Sequence, residues 1–194
     1  MDNNIKTAKD FIGNPMHKPN FQVQTTDGKT HWISRSVAVL VAVTTFDGQD
    51  WYILINRRGE DCPDFQGMWN IPCGYLDWGE SCEEACCREI WEECGVKLEP
   101  KDFKLFAVES DPVRSNKQNV TIRFIANLPA DVLKMHLSDE NSELNEIADI
   151  RWVKFTDADQ YQWAFNHREL MDLIHRKIVS RQIAKELYDE IKNV

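Results

Sequence analysis

One stretch, GYLDWGESCEEACCREIWEECGV from Gly74 to Val96, crowds carboxylates between glycines and limits what the chain around it can become. Ser81 stands where a helix can start, and Glu84 three residues on completes a capping box. Helical spacing then runs to Cys94, where Gly95 supplies a residue suited to the left-handed stop. Cys82, Cys86 and Ile90 recur at i, i+4 and i+8, an apolar stripe fit to lie on a sheet. The stretch reads as a loop, a helix and a stop.

The polar positions of this helix are harder to explain by folding alone. Glu89, Glu92 and Glu93 lie three and four residues apart, so they project from one side of the same helical region. Like charges at that spacing destabilise an isolated helix. Divalent cations held among them would relieve the repulsion, and an oxygen-only donor set suits Mg²⁺ or Mn²⁺ better than zinc. Arg88 can steady one carboxylate through a forked, charge-assisted hydrogen bond. A solvated acidic face is the competing reading.

The full spacing separates the two. A glycine, five residues, a glutamate, seven residues, then Arg-Glu-apolar-any-Glu-Glu-any-Gly-apolar resembles the signature box of the Nudix hydrolases. Gly74, Glu80, Arg88, Glu89, Ile90, Glu92, Glu93, Gly95 and Val96 match it at every fixed position. The resemblance implies an α+β fold, a mixed β-sheet packed between α-helices, with a short N-terminal extension and C-terminal helices. It implies hydrolysis of a nucleoside diphosphate linked to another moiety, with Mg²⁺ or Mn²⁺ as cofactor. By the same resemblance the Gly74 carbonyl, Glu89, Glu92 and Glu93 are metal ligands, Arg88 orients a carboxylate and Glu80 supports the loop. Cys73 departs from the pattern, standing where a proline-glycine-glycine turn is usual.

Length and charge narrow the partners. A chain of 194 residues is long enough for one domain with a substantial core. We expect an N-terminal arm and hairpin over residues 1–35 and the main domain over 36–194. The formal net charge of −9 argues against nucleic acid polymers and anionic membranes as partners, though not against a nucleotide. No segment is apolar and long enough for a membrane span, and the start MDNNIKTAKD lacks the apolar core of an export signal. Four of the six cysteines sit on or beside the proposed helix, without paired CxxC knuckles. They read as reduced thiols of a cytoplasmic protein.

Elsewhere, strand patterns surround the box. Phe21 to Thr25 and His31 to Ile33 flank Asp27-Gly28 as a hairpin, which would extend the main sheet or cover a neighbouring subunit. This hairpin is also a candidate contact for a homodimer. Ser36 to Val43 reads as a buried central strand and Trp51 to Ile55 as its partner. Arg57 and Arg58 follow, either as solvent-facing charges or to reach a phosphate or order an acidic loop. Among Phe65, Trp69, Tyr75 and Trp78, Trp69 is the candidate to stack on a base, although most such aromatics serve packing. Further strands are expected over Phe103 to Glu109, Val120 to Leu128 and Ile150 to Phe155.

Two loops and the tail bear on substrate. Ser110, Asp111, Pro112 and Arg114 resemble the substrate loop of ADP-ribose-processing Nudix enzymes, with Asp111 and Arg114 as binding candidates beside Arg57 and Trp69. The acidic loop offers Glu140, Glu143 and Glu146 for water activation, of which Glu143 is placed first. The general base is Glu143 or a carboxylate of the box. Ala164, Phe165, Asn166 and His167 resemble a tail segment of the same branch, with His167 expected to hydrogen-bond within the fold. Two helical segments, roughly Tyr161 to Arg176 and Val179 to Ile191, are expected to follow. The implied reaction is ADP-ribose to AMP and ribose 5-phosphate. A nucleotide sugar or modified nucleoside triphosphate remains an alternative substrate, and an ADP-ribose-binding sensor without turnover an alternative class.

Overall fold

The apolar run VAVLVAVTTF forms a strand buried on both faces, and the rest of the sheet is arranged by how its neighbours approach it. The computed structural model describes residues 21–111, 119–138 and 145–192. Contacts divide the chain into two units, Met1–Ser36 and Val37–Val194. In the first, β1 (Phe21–Gln24) and β2 (Thr30–Ile33) pair antiparallel around Gly28, whose φ of 81° is the conformation a tight turn demands. The hairpin forms as expected, as a two-stranded sheet.

In the second unit, β3 (Val37–Phe46) and β4 (Trp51–Arg58) pair antiparallel only where Thr44–Phe46 meets Trp51–Ile53, and then part. Two short strands fill the gap. β5 (Trp69–Asn70) takes the open edge of β4 at Asn56 and Arg57, while β6 (Cys73–Tyr75) takes that of β3 from Ala38 to Leu40. After the helix described next, β7 (Lys104–Glu109) pairs antiparallel with β8 (Val120–Leu128), which runs parallel to β3. β9 (Ile147–Lys154) covers the other edge of β4, completing a mixed seven-stranded sheet.

A helix lies on each face. α1 (Cys82–Cys94) buries Ala85, Cys86, Ile90 and Cys94 against Val39, Val41, Val43, Leu54 and Phe124. α2 (His167–Lys192) buries Leu170, Met171, Ile174 and Ile178 against Leu40, Ala42, Ile53, Ile55 and Val153. Each aliphatic side chain withdrawn from water contributes about 1.5–3 kcal/mol. Coverage of both faces explains the weak alternation of β8, in which Phe124 and Ala126 serve one core and Ile125 the other. The architecture is the expected α+β one.

The tail corrects the sequence expectation of two helices. α2 is continuous through Val179, because the stretch contains no glycine or proline to interrupt its hydrogen-bond ladder. The segment before it is not helical. Trp163 makes a parallel bridge to Trp69, and Phe165 has φ 54°.

Candidate active site

The parting of β3 and β4 is what builds the site, since it seats the Cys73–Gly74 backbone beside Asn56 of β4 and under α1. The helix is held at both ends. Ser81 Oγ accepts from the Glu84 N–H at 3.3 Å, and Glu84 Oε2 accepts from the Ser81 N–H at 2.7 Å. Gly95, at φ 70°, donates its N–H to Trp91 O and lies so near Ser138 that a Cβ would stand 2.7 Å from its carbonyl oxygen. The last turn contains no basic residue, so Glu92 and Glu93 lie unfavourably at the negative end of the helix dipole. Stability does not account for them there.

Arg88 ties the loop to the helix. Its Nη2 and Nε donate to the two oxygens of Glu80 at 2.7 and 3.1 Å, and Nη2 also reaches Tyr75 O at 2.9 Å. Its Nη1 donates to Glu89 Oε1 at 2.8 Å and Glu92 Oε2 at 3.1 Å. The hydrogen bond from Arg88 holds the Glu80 carboxyl below its ordinary range. Glu80 also accepts from the Asp77 N–H at 2.8 Å, so it braces the loop.

Glu89 is 7% exposed and presses on Gly74, where a Cβ would lie 2.0 Å from Oε1. Burial pushes its carboxyl up to about 7 against the opposing pull of Arg88. Glu93 Oε2 accepts from Asn56 Nδ2 at 2.8 Å and from the Cys73 N–H at 3.2 Å. Its side chain remains partly accessible, yet burial and then the Glu89 charge push its carboxyl well above the usual range. Glu92 differs from both. Its side chain is 38% exposed against 10% for that of Glu89, so the three glutamates do not share one environment. The 100° step per residue turns Glu92 away from the sheet that Glu89 and Glu93 meet.

The donor set fits a hard divalent cation. Glu89 and Glu93 repel one another through charges that a cation would neutralise, and the missing Cβ of Gly74 is what admits the Glu89 carboxylate. Among the described residues no group of three or more His, Cys, Asp or Glu forms a metal cage. An incomplete protein shell suits Mg²⁺, which retains several waters. Burial and then the Glu93 charge push the Cys73 thiol up. All six cysteines are free.

The remaining expected site residues fall in several places. Arg57 and Arg151 set their guanidinium groups 6.0 and 5.0 Å from the Trp69 ring centre. Trp69 itself is 9% exposed and packs edge-on against Tyr161, as a core residue does. The exposed aromatics around the box are Phe65, Tyr75 and Trp78. Arg58 orders the loop that follows β4, donating to Asp64 O and Oδ1, each at 2.8 Å. Asp111 is exposed just past β7, its N–H donating to Glu109 Oε1 at 3.0 Å. Pro112, Arg114, Glu140 and Glu143 lie outside the described residues. His167 is buried and its Nδ1 accepts from the Ile71 N–H at 3.1 Å, an internal role as expected. Asn56 and the Cys73 N–H were not anticipated; the available signal was an asparagine inside the apolar strand WYILIN.

Comparison with known proteins places the chain in a family and supports the fold. The chain matches the family model of the NUDIX domain over residues 34–174 and belongs to the Nudix family. It is 39% identical over 44 residues to the phosphatase NudJ of Escherichia coli K12, a match covering 23% of this chain and 29% of NudJ. Among solved structures it resembles the NUDIX domain of Shewanella oneidensis NrtR complexed with ADP ribose. The TM-score is 0.63 at 19% identity, covering 89% of this chain and 99% of that one. A MutT/nudix family protein from Enterococcus faecalis gives a TM-score of 0.63 at 18% identity, covering 77% and 64%. At these identities the structural likeness shows the fold.

Proposed function

We propose that the chain is a divalent-cation-dependent pyrophosphohydrolase that cleaves the phosphoric anhydride of a nucleoside diphosphate joined to another group. The observation that carries this reading is the placement of Glu89 and Glu93 against the Cys73–Gly74 backbone, with both carboxyls pushed up by burial. Glu89, Glu93 and the Gly74 carbonyl would hold Mg²⁺ or Mn²⁺, with Glu92 adjacent. When bound, the cation supplies neutralisation of phosphate oxygens and a lowered pKa for water. Arg88 positions Glu89 while its remaining hydrogen bonds fix the loop.

In the reaction water forms a new P–O bond at one phosphorus, the bridging P–O bond breaks, and the departing phosphate keeps the bridging oxygen. A proton leaves the attacking water for a carboxylate. Glu143 and the box carboxylates are the acceptors proposed, and among the latter the Glu92 side chain is 38% exposed.

The substrate proposed is ADP-ribose, giving AMP and ribose 5-phosphate. Its support is the Ser110–Arg114 and Ala164–His167 sequence resemblance, with Asp111, Arg114 and Arg57 as binding residues. The free thiols fit a reducing, cytoplasmic setting. Purified protein should be offered ADP-ribose, a nucleotide sugar, a dinucleoside polyphosphate and an oxidised nucleoside triphosphate, each with and without Mg²⁺ or Mn²⁺. The reading expects cation-dependent AMP release, fastest from ADP-ribose. Preference for another compound would overturn the substrate, and saturable ADP-ribose binding with no turnover would replace the enzyme by a sensor.

A further inference from the structure

Asn56 lies in β4, 0% exposed, directly after the buried apolar run Ile53, Leu54 and Ile55. Its amide is used on one side only. Nδ2 donates to Glu93 Oε2 at 2.8 Å, while Oδ1 is buried without a hydrogen-bond partner among the described residues. An orphaned acceptor in the interior is costly, and an apolar residue of the same shape would remove that cost. The fold retains the amide despite this penalty. What the amide does is hold one oxygen of Glu93.

The second donor to that oxygen is the Cys73 N–H at 3.2 Å. Both donors converge on Oε2, and among the described residues no hydrogen bond reaches Oε1. The carboxylate is thus fixed in rotation with one oxygen occupied and the other presented. The arrangement depends on the parting of β3 and β4, since Asn56 reaches Glu93 from β4 and Cys73 reaches it from β6.

We propose that Asn56 is a positioning residue for the cation site, holding Glu93 through Oε2 so that Oε1 is presented to a divalent cation. This rests on the reading of Glu93 as a ligand given above. Groups that orient metal ligands from behind typically change affinity by about 10–100-fold when removed. The same range is expected here.

The experiment is a Mn²⁺ titration by electron paramagnetic resonance on the full chain, wild type against Asn56→Leu, with thermal melting of both in the absence of metal. Asn56→Leu should weaken Mn²⁺ binding about 10–100-fold while melting at the wild-type temperature or above. Asn56→Ala, which removes the same donor and leaves a gap, should show the same loss of affinity with a lower melting temperature. Wild-type Mn²⁺ affinity in Asn56→Leu would overturn the assignment. So would an Asn56→Leu chain without a melting transition, because the amide would then serve the fold. Absence of Mn²⁺ binding in the wild type would instead remove the proposed catalytic site, so the two failures are distinguishable.

Discussion

Gly74 presents its bare Cα to the Glu89 carboxylate, and a methyl group there would stand 2.0 Å from Oε1. The carboxylate therefore occupies space that any other residue's side chain would need. Gly74→Ala should fold, since the displaced group is a side-chain end, but Glu89 must move off its hydrogen bond with Arg88. Mn²⁺ affinity and turnover are expected to fall about 10–100-fold, measured by titration and by steady-state kinetics on the same preparation. Unchanged values for both would show that Glu89 is not held against the loop.

Glu93→Gln keeps an acceptor for Asn56 and the Cys73 N–H while removing a charge that burial already disfavours. The variant should melt no lower than wild type, yet lose more than about a hundredfold in turnover, beyond the usual effect of an outer residue. Mg²⁺ at a hundred times its dissociation constant should stabilise wild type by about 2.7 kcal/mol, and the variant by much less. Equal stabilisation of the two in a melting experiment would remove Glu93 from the site.

His167 sets a pH limit on stability that is separate from catalysis. Burial, with smaller contributions from Arg123 and Arg58, lowers its value from 6.5 to about 3. A base with a depressed folded value is neutral in the native protein, so the unfolded chain takes up the proton first as pH falls. Its stabilising contribution is complete above about pH 6.5 and is lost progressively toward pH 3. At pH 5.5 the loss should be about 1.4 kcal/mol. In denaturant titrations at pH 7.5 and 5.5, His167→Asn, which retains an acceptor for Ile71, should show a smaller drop than wild type.

The ends of α1 should respond independently. Ser81→Ala removes the capping oxygen and should cost about 1 kcal/mol. Gly95→Ala forces a side chain into the left-handed region and against Ser138, costing roughly 1–2 kcal/mol or more. The positions are separated by the length of the helix, so the double variant should approach the sum. A double variant no less stable than Gly95→Ala would show that the capping box contributes nothing to the folded protein.

The box helix was legible because its signals are local. A cap, its reciprocal glutamate, an apolar stripe and a glycine stop all act within one helix length, and the structure uses each of them. The buried run of β3 was legible for a similar reason, since a strand covered on both faces reads as continuous apolar sequence. The burial of Trp69 was not, because an aromatic beside a motif has the same sequence appearance whether it is buried or exposed. The continuous α2 was misread where its apolar spacing shifted phase without any residue that ends a helix.

The sequence by itself determined the class of chemistry: carboxylates at fixed spacing on a capped helix, preceded by a glycine that can admit one of them. Tertiary structure decided which carboxylates differ and what holds them. Glu89 and Glu93 meet the backbone and side chains of the sheet while Glu92 stays more exposed, a distinction that needs the sheet in place. Asn56 reaches Glu93 across 37 residues of chain, and His167 reaches Ile71 across 96. Those pairs exist because β3 and β4 separate and two short strands fill the gap, a long-range packing outcome that no local pattern encodes.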